Sequence, residues 1–326
     1  MWFEKLTGFC EESPGQVREK LTVEDGVLKS LVNGKEYKCG FLEIPSLGEL
    51  RDRVLNSNIP MEKISVREVI SDVQTLHCDE SNSGSLFQVA SQFNLLEMPS
   101  PQVTPEQGVT NYENDHTQGP ACAISAGAGT IYRNYFVDVN GKIGQSFDNQ
   151  IDCLADLGKV LGNSDNHLWE MKNGYAFASE TGLREITKRI RSSSESEIDD
   201  LRKLLRIGVQ WDTEVTISES HHTVLQAYCS ALPVAYSQLS PELWFEFAKV
   251  ILEASYEATI CAGILNYLNT GNNKLYLTLI GGGVFGNDIN WIVEALQRSL
   301  NLYENVGLDV AIVNRKSNDY IHELIV

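Results

Sequence analysis

Two runs of strand length stand out in the hydrophobic pattern, ISVREVISDV from Ile64 and SLFQVASQFNLLE from Ser85, both rich in Val, Ile and Phe. They are separated by a Ser/Asn/Gly cluster at 81–84, and they predict the start of a buried sheet. Upstream, VEDGVLKSLVNGKEYKCGFLEI reads as short strands turning at Asp25-Gly26 and Asn33-Gly34. Pro14, Gly15, Pro45, Gly48 and Pro60 punctuate this stretch, which predicts a small lid or platform rather than an independent enzyme. The expected division is therefore an N-terminal extension, 1–62, and a main domain, 63–326.

Downstream, MPSPQVTPEQGVTNYENDHTQGP has no helical or strand period and predicts a long loop of the kind that carries function. It feeds ACAISAGAGTIYRNY, expected to be one small-residue helix. FVDVNGKIGQSF reads as a hairpin turning at Asn140-Gly141, and IDCLADLGKVLG as a short helix. Helices flank the Ser/Glu-rich segment of 181–206, and strands follow near Ile207–Trp211 and in HTVLQAYCSALPVAY. The longest helix is predicted from Ser240 as N-cap and Pro241 at the first position to Gly271 as the stop. The remainder is strand (KLYLTLI), glycine-rich turn (GGGVFGND), helix and strand (LDVAIV). A strand, helix, strand unit implies parallel pairing and an α/β fold.

The chain has 326 residues, 42% hydrophobic and 21% charged, with a net charge of −18. An acidic chain without a Lys/Arg cluster repels a phosphate backbone, so nucleic acid is not an expected partner. No apolar run reaches the ~18 residues of a membrane span, and the first residues carry acids rather than an apolar signal-peptide core. A cytoplasmic protein off the membrane is expected, and a monomer. Seven scattered cysteines without CxxC spacing read as reduced core thiols, Cys122 among them. His221, His222 and His167 lack a completing carboxylate spacing, so neither a metal nor a cofactor is expected. Tyr228, Trp211 and Trp244 could form a recognition surface, but aromatics in apolar segments read as core.

The turn Gly281 to Gly286 lies between a strand and a helix, where glycines let backbone N–H groups approach a phosphate or diphosphate. Its spacing also satisfies GxGxxG, but only about 40 residues remain for the further βα units a dinucleotide fold requires. No Lys-Ser or Lys-Thr follows, which excludes a P-loop. A plain packing turn is the remaining alternative.

Strand, Gly-Val-Phe-Gly, helix, strand at the end of an α/β domain resembles the second phosphate loop of macrodomains, the ADP-ribose-binding family. VISDVQTLH followed by SLFQVASQFNLL resembles the macrodomain opening, where a strand ends in Gly-Asp-Ile and a second runs into Asn-Ala-Ala-Asn. TQGPACAISAGAGTIYR resembles the first glycine loop and its helix. The resemblance implies a three-layer α/β/α fold with a mixed central sheet. It also implies an ADP-ribose site with Asp72 on the adenine amino group and Val73 after it. Asn94 would face the proximal ribose, with Ser91 or Gln92 replacing its partner. Thr117, Gln118 and Gly119 would lie along the diphosphate, and Gly282, Gly283, Val284, Phe285, Gly286 and Asn287 would form the second loop, Phe285 against the ribose.

The double-Asn motif is incomplete and the first loop is displaced by residues 98–118. These departures resemble the MavL-like macrodomain hydrolases, a Legionella effector and its eukaryotic relatives, which release ADP-ribose from arginine. That resemblance implies an ADP-ribosylhydrolase acting on mono-ADP-ribosylated arginine of a protein, with ubiquitin as a candidate carrier; a non-catalytic ADP-ribose reader is the alternative. The reaction needs a carboxylate near the proximal ribose, and YENDHTQGP offers Asp115 first and Glu113 second. His116 could tune either, and Asp138 and Asp148 are weaker candidates for the substrate guanidinium.

Overall fold

The computed structural model describes residues 1–59 and 61–324. Its centre is a seven-stranded mixed sheet built from β1 (Phe41–Glu43), β2 (Ser65–Ile70), β3 (Leu86–Ala90), β4 (Gly208–Glu214), β5 (Thr223–Cys229), β6 (Lys274–Leu277) and β7 (Asp309–Asn314). The spatial order is β1-β4-β5-β3-β6-β7-β2. β1, β4 and β5 pair antiparallel, and β5, β3, β6, β7 and β2 pair parallel. The register sets Leu86 beside both Leu225 and Leu275, so the middle strand is buried on each side. Parallel strands covered on both faces read as continuous apolar runs, which is the pattern LFQVA and KLYL show.

One face carries α1 (Leu47–Leu55), α5 (Glu180–Ser192), α6 (Glu195–Arg202), α7 (Pro241–Thr270) and α8 (Ile289–Leu302), with α7 at the centre. The other carries α2 (Val73–Cys78), α3 (Gln118–Ser125) and α4 (Gly127–Tyr135). The result is the expected three-layer α/β/α arrangement. Pro241 and the left-handed Gly271 (φ 80°) bound α7 as predicted. Two acids inside this helix are paired: Glu253 accepts from Arg202 Nε at 2.6 Å, and Glu257 accepts from Arg51 and Arg298. Arg51 also grips Asp199, so α1, α6, α7 and α8 share one ionic network.

The single helix expected over 121–135 is interrupted at Ala126 (φ −117°, ψ 59°). Thr216 enters the break, its N–H donating to Ser125 O and its Oγ1 accepting from Gly127 N–H, each at 2.8 Å. A Cβ on Gly127 would stand 2.6 Å from the Trp2 ring, so the break is where the N-terminus packs.

The extension enters the fold at two levels. β1 is the sheet's edge, and Leu47, Leu50 and Val54 of α1 belong to the main core. Earlier residues form a three-stranded antiparallel sheet (Leu21–Glu24, Val27–Ser30, Glu36–Lys38) and a second apolar core. In it Phe3, Leu6 and Phe9 meet Leu96, Met98, Val109 and Tyr112. No helix among the described residues is long and apolar enough to cross a membrane.

His77 of α2 is wholly buried, stacked on Phe87 with ring centroids 4.0 Å apart. Nδ1 lies 2.8 Å from Val73 O and so carries the proton, while Nε2 faces the Gln226 amide. Burial pushes its pKa down to about 4 from 6.5. The unfolded chain therefore binds a proton that the folded one refuses, and stability present above pH 6.5 is lost as the pH falls toward 4. In denaturant titrations at pH 7 and 4.5, the wild type should lose about 2 to 3 kcal/mol relative to His77→Gln. Parallel losses would show that the ring is not held neutral.

Candidate active site at the carboxyl ends of the parallel strands

β3, β5 and β6 end side by side at Ala90, Cys229 and Leu277, and the segments leaving them diverge around a cleft that opens to solvent. Open α/β sheets bind ligands at this edge, where the chain ends of neighbouring strands splay. The glycine turn supplies the floor. Gly281 (φ 76°) and Gly286 (φ 70°) are left-handed, and Cβ atoms there would lie 2.5 Å from Ala231 Cβ and 2.7 Å from Ala235 Cβ. Asn287 locks the turn, its backbone N–H donating to Gly281 O at 2.9 Å and its Nδ2 to Leu232 O at 2.8 Å. Between these fixed ends, Gly283, Val284 and Phe285 line the cleft. Among the described residues, their N–H groups meet no protein acceptor.

The first loop supplies a wall. Gln118 acts as an extra strand partner to β3, accepting from Ala90 N–H and donating to Gln88 O, each at 2.8 Å. Gly119 permits this approach, since a Cβ would lie 1.9 Å from Ala90 O. Asp115 lines the cleft just before α3; its Oδ1 accepts from Thr117 N–H at 2.9 Å and Thr117 Oγ1 at 2.7 Å. That Asx-type turn orients the carboxylate, and among the described residues Oδ2 has no protein donor.

The opposite wall is aromatic. Phe285 packs on Tyr175 (centroids 5.4 Å) and Tyr236 (5.6 Å). Tyr175 comes from the hairpin Trp169–Ala178 and is fixed by donating to Met98 O at 3.0 Å. Behind the loop after β3, Glu97 lines the cleft yet is wholly buried, paired with the equally buried Arg133 at 3.1 Å. Burial pushes the Glu97 carboxyl up to about 7, and the Arg133 charge restrains the rise. Arg133 also donates to Leu95 O and Tyr228 Oη, with its guanidinium 3.7 Å over the Tyr228 ring.

Of the residues the sequence singles out, Ser91, Gln92, Asp115, Thr117, Gln118, Gly119, Gly281, Gly283, Val284 and Phe285 meet in this cleft. The others do not line it. Asp72 caps α2, accepting from Gln74 N–H at 2.8 Å and facing Arg315, and Val73 is in the core. Asn94 is buried and committed to Leu96 N–H and Gln150, so its side chain shapes a turn rather than a ligand contact. Glu113 accepts from Trp2 N–H at 3.1 Å. Gly282, Gly286 and Asn287 shape the floor from beneath. Asp138 and Asp148 cap local turns. Cys122 is a buried thiol pushed well above its ordinary pKa by desolvation. No group of three His, Cys, Asp or Glu placed to hold a metal occurs among the described residues.

Glu97, Tyr175 and Tyr236 were not legible as site residues. Glu97 offered one signal, an acid inside the apolar run NLLEM that a core could accept only with a partner.

No family model and no curated protein matches the sequence. Among solved structures, a poly(ADP-ribose) glycohydrolase from Thermomonospora curvata aligns at 12% identity and a TM-score of 0.44, over 94% of this chain and 93% of that one. The Deinococcus radiodurans enzyme of the same name, in complex with ADP-ribose, aligns at 11% identity and a TM-score of 0.44, over 86% of this chain and 90% of that one. Likeness at this level assigns no activity to this chain.

Two substitutions test the architecture of the site. Arg133→Met leaves Glu97 buried without its partner and should cost about 3 to 5 kcal/mol in denaturant unfolding. Gly119→Ala forces α3 away from β3 and should cost about 1 to 3 kcal/mol; an unaffected variant would mean that the helix start is not held against Ala90.

Proposed function

We propose that this chain is a hydrolase of ADP-ribose linkages, acting on mono-ADP-ribose joined to arginine of a protein. The observation that carries the proposal is the cleft floor: three consecutive N–H groups at Gly283, Val284 and Phe285 without protein acceptors, in the same cleft as Asp115. No lysine or arginine lines this cleft among the described residues. An acidic chain of net charge −18 would thus hold a diphosphate through oriented backbone amides, which bring partial positive charge without a side-chain cation. The aromatic wall of Phe285, Tyr175 and Tyr236 suits a ribose face.

Asp115 takes the role of base. Water attacks the anomeric carbon as the bond to the guanidine nitrogen breaks. The Asp115 carboxylate receives the water proton, which passes through solvent to the departing nitrogen, so the carboxylate is regenerated as arginine and ADP-ribose separate. The free Oδ2 is the atom available for this transfer. The arginine linkage follows the motif resemblance, and an acidic surface suits a carrier presenting guanidinium groups. Arginine-modified ubiquitin is the first protein substrate to test.

Calorimetric titration of ADP-ribose should show saturable binding that Gly283→Glu abolishes. A Cβ at Gly283 meets nothing within 4 Å, so this variant places a carboxylate against the diphosphate without disturbing the fold. Absence of binding by the wild type would end the proposal. Asp115→Asn should bind ADP-ribose but lose at least about a hundredfold in hydrolysis of ADP-ribosylarginine. Binding without hydrolysis by the wild type would instead identify a reader.

A further inference from the structure

Glu11 lies more than a hundred residues before Asp115, yet it is bonded into the same loop. Its carboxylate accepts from Val109 N–H at 2.9 Å, Thr110 N–H at 2.7 Å and Tyr135 Oη at 2.7 Å. The loop is shaped around this group: Gly108 is left-handed (φ 81°), and a Cβ there would lie 2.3 Å from Glu11 Oε2. From this anchor a relay of backbone bonds runs forward. Tyr112 N–H donates to Val109 O and Asp115 N–H donates to Tyr112 O, each at 3.1 Å. A second bridge runs the other way, with Glu113 accepting from Trp2 N–H at 3.1 Å. Between the two bridges Phe3 and Phe9 pack with Val109 and Tyr112 in the second core.

We propose that the N-terminal segment is the positioning element of the reaction, and that Glu11 and Glu113 set the place of Asp115 without touching substrate. This rests on the assignment of Asp115 above. A carboxylate that accepts two successive N–H groups fixes the peptide planes on either side of Val109, and a displacement of about 1 Å at a reacting group can cost on the order of a hundredfold in rate. Glu113 accordingly serves as a hydrogen-bond acceptor, a task its amide performs as well, whereas a base cannot be replaced in that way.

The test uses the full chain with Glu11→Ala, Glu11→Gln, Glu113→Ala and Glu113→Gln. Amide hydrogen exchange over residues 108–117 is measured beside kcat and KM on ADP-ribosylarginine. Both alanine variants should speed exchange over 108–117 and lower kcat at least about tenfold, with KM within about threefold of wild type. Both glutamine variants should restore slow exchange and most of kcat, with the pH profile of the wild type. Unchanged exchange in Glu11→Ala would overturn the proposal, as would loss of kcat in Glu113→Gln with exchange still slow, because that outcome makes Glu113 a base. If Glu11→Ala does not fold, Glu11→Gln and the Glu113 pair decide by the same readouts. If the wild type hydrolyses nothing, the assigned activity fails while exchange still reports whether the segment holds the loop.

Discussion

The buried contact between Arg133 and the loop leaving β3 is the constraint on which the site depends. That loop must turn back sharply to clear the cleft, and it does so through Leu95 at φ 64°, a left-handed conformation costly for a branched apolar residue. Arg133 holds the turn from behind by donating to Leu95 O at 3.0 Å and to Glu97, while stacking on Tyr228 of β5. An arginine suits this place better than a lysine, because a planar fork can serve several acceptors at fixed angles and lie on a ring as well. One guanidinium therefore joins α4, the middle of the sheet and the rear of the cleft.

The fold was legible where local pattern and tertiary demand agreed. The apolar runs became β2, β3, β6 and β7, and Pro241 and Gly271 bound α7 because helix ends are set by local chemistry. The helix over 121–135 was read as continuous because small residues at Ala126 and Gly127 carry no stop signal of their own. The interruption comes from Thr216 and Trp2, which arrive from distant parts of the chain. The extension likewise gives no sign that Phe41–Glu43 completes the main sheet, since an edge strand of three residues has almost no periodicity.

In the site, the glycine turn and the Asp115 to Gly119 segment were legible because backbone approach demands particular residues at fixed spacing. Asn94 and Asp72 matched a pattern by position, but their side chains are taken up by Leu96 N–H and Gln150 in one case and by Gln74 N–H in the other. Motif spacing specifies where a residue falls along the chain and leaves open which neighbours compete for its hydrogen bonds. Tyr175 was beyond reach for a different reason: it reaches the cleft only because the Asn173-Gly174 turn docks on Phe93, whose N–H donates to Gly174 O at 2.9 Å.

The strand order has a consequence for how the molecule is made. Among the described residues β2 pairs with β7 alone, Ser65 standing opposite Asp309, so about 240 residues separate the two partners. At about 5 to 20 residues per second, synthesis leaves β2 without its neighbour for roughly 12 to 50 seconds. During that interval the unpaired strand is available to other chains. Completion of this edge of the sheet thus waits for β7, and the risk of mispairing is concentrated in β2.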